Sequence, residues 1–461
     1  MVELYELPVA QAAAQIARLQ LSPVALMEAL LSRAATAEPS LKIWVTLDAD
    51  VALEAARERE RELERTGPRG PLHGIPIGIK DIYYTEGMKT TACSPIYADF
   101  VPDYDATTVA LLKKAGAIVM GKTVTTQFAC GDPPPTRNPW NAAHTPGGSS
   151  SGSAVGVAAR IFPAAMGSQT AGSVLRPASY NGVVGLKPTF GRVSRYGVIP
   201  VAWSLDTMGT FTRTVEDAAL MLQVLAGHDP LDLSSSTSAT PDFTAAIGAQ
   251  QSPPRIGVLR TFYYDSAEDE VKVHTDDVVK RLRQAGAHIE DVAVPTDFDA
   301  LLAAHRVIMT VEAASVHETD FAARPDDYAS NVRSVVEAGM LAPAVSYVQA
   351  QQIRRRFRRD MEEAIAPFDV ILTPATVSPA PRDLGTTGDP KFQTPWTACG
   401  FPSITLPSGL SEAGLPMGTQ LAAAPFAEET LLAAAHWCEQ ALDTSMTPPA
   451  LRQAQGERDG H

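Results

Sequence analysis

Apolar positions along the chain recur in two periods, and the change from one to the other marks the elements. In "LSPVALMEALLSRAATAEPS", Val24, Leu26, Leu30 and Leu31 keep near-helical spacing, Ser22 stands where an N-cap belongs and Pro23 fits the first helical position. A second, charged helix is predicted over residues 50–66. "HGIPIGIKDIYY" is instead a β-type apolar segment carrying Lys80 near its end. "DATTVALLKKAGAIVMGKT" predicts a helix from Asp105, a glycine stop at Gly116 and a buried strand over 117–120. "DDVVKRLRQAGAHIEDVAVP" repeats that plan around Gly286. Two such units argue for alternating α/β layers, so the expected fold is α/β with a central mixed, twisted β-sheet covered by helices.

The segment between Gly227 and Pro254 is rich in Ser, Thr and Pro and reads as a surface excursion. A short strand, "RIGVLR", and a long helical stretch over 299–365 come after it. A single domain over 1–447 is expected, with a variable, mainly helical part at about 230–365 roofing the site and a polar, mobile tail over 448–461. At 461 residues and 45% hydrophobic content, the chain can fill a sizeable core.

A formal charge of −14 gives a surface that repels phosphate backbones and anionic membranes. The expectation from charge is therefore a small-molecule substrate, with no nucleic acid and no membrane, for a monomer or homodimer. The arginines of "QQIRRRFRRD" read as a solvated, salt-bridged helix face. Cys93, Cys130, Cys399 and Cys438 show neither a C-x-x-C pair nor zinc-type spacing, so reduced thiols, no metal and no cofactor are expected. The start "MVELYELPVA" lacks the charged and apolar regions of a signal peptide, and no apolar run nears the roughly 18 residues of a membrane span. A cytoplasmic location is the default expectation.

"TPGGSSSGS", residues 145–153, has the composition of a flexible linker but leads straight into "AVGVAARIFPAAMGSQTAGSVLRPASYNGVVGLKP", which is apolar and glycine-rich. Glycines inside a core permit close backbone approach, and serines there supply hydroxyls to a buried site. "GGSSSGS", "GSQTAGSVLRPASYNGVVGLKPTFGRVSRYG" and the upstream "GIPIGIKD", in that order and spacing, resemble the amidase signature family. The resemblance continues through "GKTVTTQFA", "TRNPWN" and "FDVILTPAT" to "FPSITLPSGLSEAGLPMGTQL", nearly the whole chain.

That resemblance implies a Ser-cisSer-Lys triad cleaving a C–N bond beside a carbonyl, with Ser173 as nucleophile, Ser149 as bridging serine and Lys80 as base. It also assigns the oxyanion hole to Thr170, Ala171, Gly172 and Ser173, acting through backbone N–H groups. Independently of the family, a serine needs a base, and a lysine serves only when burial keeps it neutral, which the apolar frame of "IPIGIK" favours. "AGSVL" lacks the second glycine of a G-x-S-x-G elbow, and "GSSSGS" lacks a P-loop's Gly-Lys ending.

The family pattern is broken at Gln169, where an aspartate is usual, at Ala171 for glycine, and at Leu175 for arginine, with Arg176 one place later. Candidate substrate contacts are Phe128, Gln169, Arg176, Trp396 and Phe401. Lacking evident charged groups beyond Arg176, the site is expected to serve a stand-alone hydrolase of neutral amides and anilides, extending to carbamates (a urethanase activity) and esters. The alternatives are the glutaminase subunit of a tRNA-dependent amidotransferase, against which the three departures stand, and a non-catalytic amidase-like binding protein, against which the intact triad stands.

Overall fold

Among the described residues, pairing of eleven strands into one mixed sheet organises the fold. The computed structural model describes residues 3–249, 252–294, 297–444 and 446–449. The strands are β1 (Trp44–Leu47), β2 (Pro76–Lys80), β3 (Ile118–Thr123), β4 (Ala164–Gln169), β5 (Val184–Lys187), β6 (Thr207–Thr212), β7 (Arg255–Leu259), β8 (His288–Val292), β9 (Val370–Pro374), β10 (Ser403–Leu410) and β11 (Pro416–Ala422). Their spatial order is β1-β3-β2-β4-β6-β5-β10-β11-β9-β7-β8. β2 runs parallel to both β3 and β4, whereas β4 meets β6 antiparallel. β2 and β4 are buried at every position, which is why "PIGIK" and "AAMGSQ" show no polar alternation.

Local signals placed the helices well. Pro23–Leu41 begins with Ser22 Oγ accepting the Ala25 N–H at 3.1 Å, and Ala49–Thr66 begins with Asp48 accepting from Val51 N. The helix expected from Asp105 starts at Thr107 and stops before Gly116, whose φ of +91° suits the turn into β3. The stretch over 299–365 divides into Phe298–Ala323, Ser330–Leu341 and Ala344–Ile365, interrupted at Pro325 and Pro343. Two parallel strands, β7 and β8, also come from the 230–365 part and extend the sheet beyond β9. The polar tail expected to be mobile lies, from residue 450 on, outside the described residues. Arg358 and Arg359 pair with Glu362 and Asp360 on an exposed face, but Arg354 turns inward, donating to the carbonyls of Ala398 and Ser204.

The Ser151–Ala158 helix is buried along its whole length. Its two glycines set how closely it packs: a Cβ on Gly152 would stand 2.4 Å from the Ile43 carbonyl oxygen, and one on Gly156 would stand 1.9 Å from Phe162 Cζ. An alanine in a helix interior ordinarily gains roughly 0.5–1 kcal/mol over glycine. Overpacking a filled core costs about 1–3 kcal/mol, so the clash decides the sign. Gly156→Ala is therefore expected to lower the urea midpoint with an unchanged m-value, read by circular dichroism; an equal or higher midpoint contradicts this packing.

Candidate active site

β2 ends on Lys80, and its parallel neighbour β4 brings Ser168 alongside. Lys80 is 0% exposed, with Nζ 2.7 Å from Ser149 Oγ and 2.9 Å from Ser168 Oγ. Burial lowers its pKa to about 7, against the weaker upward pull of Asp206, Cys130 and Cys93. A neutral amine at this place donates an N–H to Ser168 and receives the O–H of Ser149. Lys122 is equally buried, but its ammonium stands 3.2 Å from the Asp81 carboxylate, and its pKa falls only to about 8. Lys80 has no carboxylate within ion-pair distance among the described residues.

The serines of residues 149–153 are structural stitching as well as chemistry. Ser151 Oγ donates to the Gly147 carbonyl at 2.8 Å, and Ser153 Oγ donates to the Met166 carbonyl of β4 at 2.8 Å. The loop is thereby tied to the strand that carries Ser168, and Ser149 is left facing Lys80. The Gly148–Ser149 peptide bond is cis, and the Gly148 carbonyl accepts from Arg176 Nη2 at 2.7 Å.

Beyond β4 the chain turns through Thr170, Ala171 and Gly172 to Ser173 and enters the Leu175–Asn181 helix. Gln169, fully buried, controls this turn: its Oε1 accepts from the N–H groups of Val174 and Leu175 at 2.9 and 3.0 Å, and its Nε2 donates to Thr397 Oγ1. A neutral amide thus supplies the double acceptor that a carboxylate would supply. Among the described residues, no acceptor is paired with the backbone N–H of Thr170, Ala171, Gly172 or Ser173, so these donors are free for a substrate oxygen. Ser149, Thr170, Ala171, Ser173 and Arg176 line one cavity of about 280 Å³. Through Ala171 it adjoins an outer cavity of about 510 Å³ that carries Arg306, Asp389 and Lys391.

Four of the five candidate substrate contacts do not line this cavity. Phe128 packs at 1% exposure between Tyr97 and Tyr328, and Trp396 and Phe401, both at 0%, fill a separate apolar core with Phe298 and Phe357. They are core because apolar aromatics satisfy packing and pocket alike, and sequence does not separate the two. Gln169 likewise acts on the loop rather than on the cavity wall. Conversely, Ser168, Asp206, His305 and Thr397 surround the lysine and the oxyanion turn without having been singled out. Only Ser168 left a trace, as a polar residue in the otherwise small and apolar beginning of "AAMGSQ". No group of three or more His, Cys, Asp or Glu side chains is arranged to hold a metal among the described residues, and no helix there is long and apolar enough to cross a membrane.

Because the base must be neutral, kcat/KM is expected to fall tenfold per pH unit below about 7 and to level off above it. The Ser168 oxygen favours the ammonium over the amine, so Ser168→Ala is expected to move that limb to lower pH. Lys80→Met should lower kcat by about 100- to 10,000-fold. A flat profile from pH 5 to 9 in the wild type contradicts the assignment of Lys80 as base.

A profile of the family described as Amidase matches residues 25–432. The A subunit of glutamyl-tRNA(Gln) amidotransferase from Geobacter metallireducens is 38% identical over 95% of this chain and 98% of its own. Seven further relatives with that name are 35–37% identical over 95–98% of the chain. Among solved structures, the native peptide amidase of Stenotrophomonas maltophilia superposes with a TM-score of 0.85 at 32% identity, covering 96% of this chain and 98% of that one. A chain from a vestigial complex tied to the origins of an s-triazine catabolic enzyme superposes at 0.88 with 30% identity, over 96% and 99%. The curated relatives overturn the expectation of a stand-alone hydrolase of neutral amides, anilides and carbamates, and with it that of a monomer or homodimer without nucleic acid. They match instead the alternative of a glutaminase subunit. The physical reasons for the miss are visible: Gln169 keeps the turn that its replacement was expected to alter, and Arg306, Asp389 and Lys391 give the approach to the site charges that the motifs did not show. With its sequence matched over 25–432 and its fold shared over 96% of its length, the chain belongs to the amidase signature family and is an enzyme acting on C–N bonds.

Proposed function

We propose that this chain is the amide-hydrolysing subunit of a tRNA-dependent amidotransferase, releasing ammonia from the side-chain carboxamide of glutamine for a partner that acts on a glutamyl-tRNA. The observation that carries the reading is the 38% identity along 98% of a relative named as the A subunit of such an enzyme. A cytoplasmic location accords with a tRNA-linked role.

In this reading Ser173 attacks the carboxamide carbon as its proton passes to Ser149 and the proton of Ser149 passes to the neutral Lys80. The oxyanion meets the free N–H groups of the turn at 170–173. Collapse breaks the C–N bond, and the proton held by Lys80 returns through Ser149 to the leaving nitrogen, which departs as ammonia. Water then attacks the acyl-enzyme, its proton passing through Ser149 to Lys80 and returning by the same route to the Ser173 oxygen as that C–O bond breaks and glutamate leaves. The 2.7 Å contact between Lys80 and Ser149 supports the inner half of this relay, and the shared cavity of Ser149 and Ser173 supports the outer half.

Arg176 supplies the carboxylate end of the substrate with a partner. It is 4% exposed, lines the cavity and has no acidic partner among the described residues; of its guanidinium nitrogens only Nη2 is hydrogen-bonded within the protein. A buried guanidinium without an anion is costly, and a ligand carboxylate offsets that cost. The cavity, at about 280 Å³, sits at the low end of the roughly 300–1,000 Å³ common for ligand sites, which suits an amino-acid amide.

Ammonia release should therefore be measured with glutamine, glutaric acid monoamide, 4-aminobutanamide and butanamide. The two carboxylate-bearing amides are expected to exceed their counterparts in kcat/KM by about 10- to 100-fold, the range of a charged hydrogen bond worth about 1.5–3 kcal/mol. Arg176→Met is expected to remove that ratio, whatever it does to the common rate through the Gly148 carbonyl. Hydrolysis of butanamide with glutamine untouched overturns the reading.

A further inference from the structure

Gln169 closes the turn that holds the four free N–H groups, and the carbonyls inside the turn are held from elsewhere in the chain. A peptide unit is planar and trans, so its C=O and N–H point in opposite directions. Whatever holds the carbonyl of Thr170 therefore sets the direction of the Ala171 N–H, and whatever holds the carbonyl of Ala171 sets that of Gly172. Thr397 Oγ1 donates to the Ala171 oxygen at 2.8 Å. Nε2 of His305 lies 2.9 Å from the Thr170 oxygen. A carbonyl only accepts, so this nitrogen carries the proton.

His305 sits on Phe298–Ala323, in the helical roof, 135 residues from its partner, and is 5% exposed. Burial lowers its pKa to about 4, so near neutral pH it is one uncharged donor of fixed tautomer. The side chain of Thr170 is held from another direction, its hydroxyl donating to Asp206 Oδ1 at 2.5 Å, while Asp206 Oδ2 accepts from the N–H groups of Val201 and Ala202. Asp206 thus anchors the residue, and among the described residues only His305 grips the carbonyl that orients the next N–H. His305 and Ala171 both line the outer cavity of about 510 Å³, so the grip stands beside the path of an entering substrate.

We propose that His305 is a positioning residue for the oxyanion hole: by donating Nε2–H to the Thr170 carbonyl, it aims the Ala171 N–H at the oxygen of the tetrahedral intermediate. The helical roof in this way takes part in catalysis, beyond covering the site. The inference rests on the acyl-transfer reading with Ser173 as nucleophile.

The test pairs His305→Ala with His305→Gln, which keeps a neutral N–H donor, and compares both with wild type on butanamide and in binding an alkyl boronic acid, whose tetrahedral adduct on Ser173 presents a hydroxyl where the oxyanion forms. Deleting a direct donor costs about 100- to 1000-fold, and misaiming one costs less, so His305→Ala is expected to lower kcat by about 10- to 100-fold with KM within threefold. Boronate affinity should fall by the same factor, and His305→Gln should recover most of both. A kcat and boronate affinity within twofold of wild type, a change confined to KM, or a Gln variant no better than Ala each overturns the proposal. The underlying reading fails separately, on Ser173→Ala retaining turnover.

Discussion

An amine stripped of water and left without a carboxylate is the constraint around which this site is built. Lys80 has two hydroxyl partners and no accessible surface, and desolvation outweighs the pull of the Asp206 carboxylate that favours its protonation. Lys122 differs from the proposed base in its partners, not in its burial. Both amines are enclosed, yet Lys122 stands against Asp81 and also donates to the Tyr83 carbonyl, which makes it a structural cation. The difference lies in neighbours, and those neighbours are set by strand pairing: β2 places Lys80 beside β4, which bears a serine where an acid would have held a proton on the amine.

Holding that arrangement requires close backbone approach. The Ser151–Ala158 helix comes near enough to β3 and to Phe162 only because residues 152 and 156 lack side chains, and its Ser153 bonds to the strand beneath. On the far side of β4 the same economy of size continues through the turn to Ser173, where small residues leave N–H groups unspent and Gln169 ties down the start of the next helix. Lys80 and the turn after Gln169 sit at the ends of two interior strands, β2 and β4, whereas the charged outer cavity is built from the helical roof and the segment around Asp389.

Much of the scaffold was legible in sequence because its signals are local. Ser22 announced its helix, Gly116 announced the turn into β3, and the apolar run before Lys80 announced a strand. The Gly/Ser run was legible as a buried device because an apolar, glycine-rich segment comes directly after it. The features that stayed hidden depend on contacts distant in sequence. Ser168 gains meaning only when β4 lies beside β2, and Thr397 only when its helix meets the turn at 169–173. Trp396, Phe401 and Phe128 were unreadable for the opposite reason: an aromatic side chain has the same composition in a core as in a pocket wall, and here it is core. The substrate expectation failed because charge was sought in the motifs, whereas Arg306, Asp389 and Lys391 reach the approach from segments that carry no motif.

The central claim is that Lys80 is an uncharged amine at working pH. NMR titration of the protein with ¹³Cε-labelled lysine, the Lys80 signal assigned by its loss in Lys80→Met, measures this directly. A midpoint near 7 is the expected result. A signal that titrates close to the ordinary lysine value of about 10.4 contradicts the account, because an ammonium at that place has no lone pair with which to take the proton of Ser149.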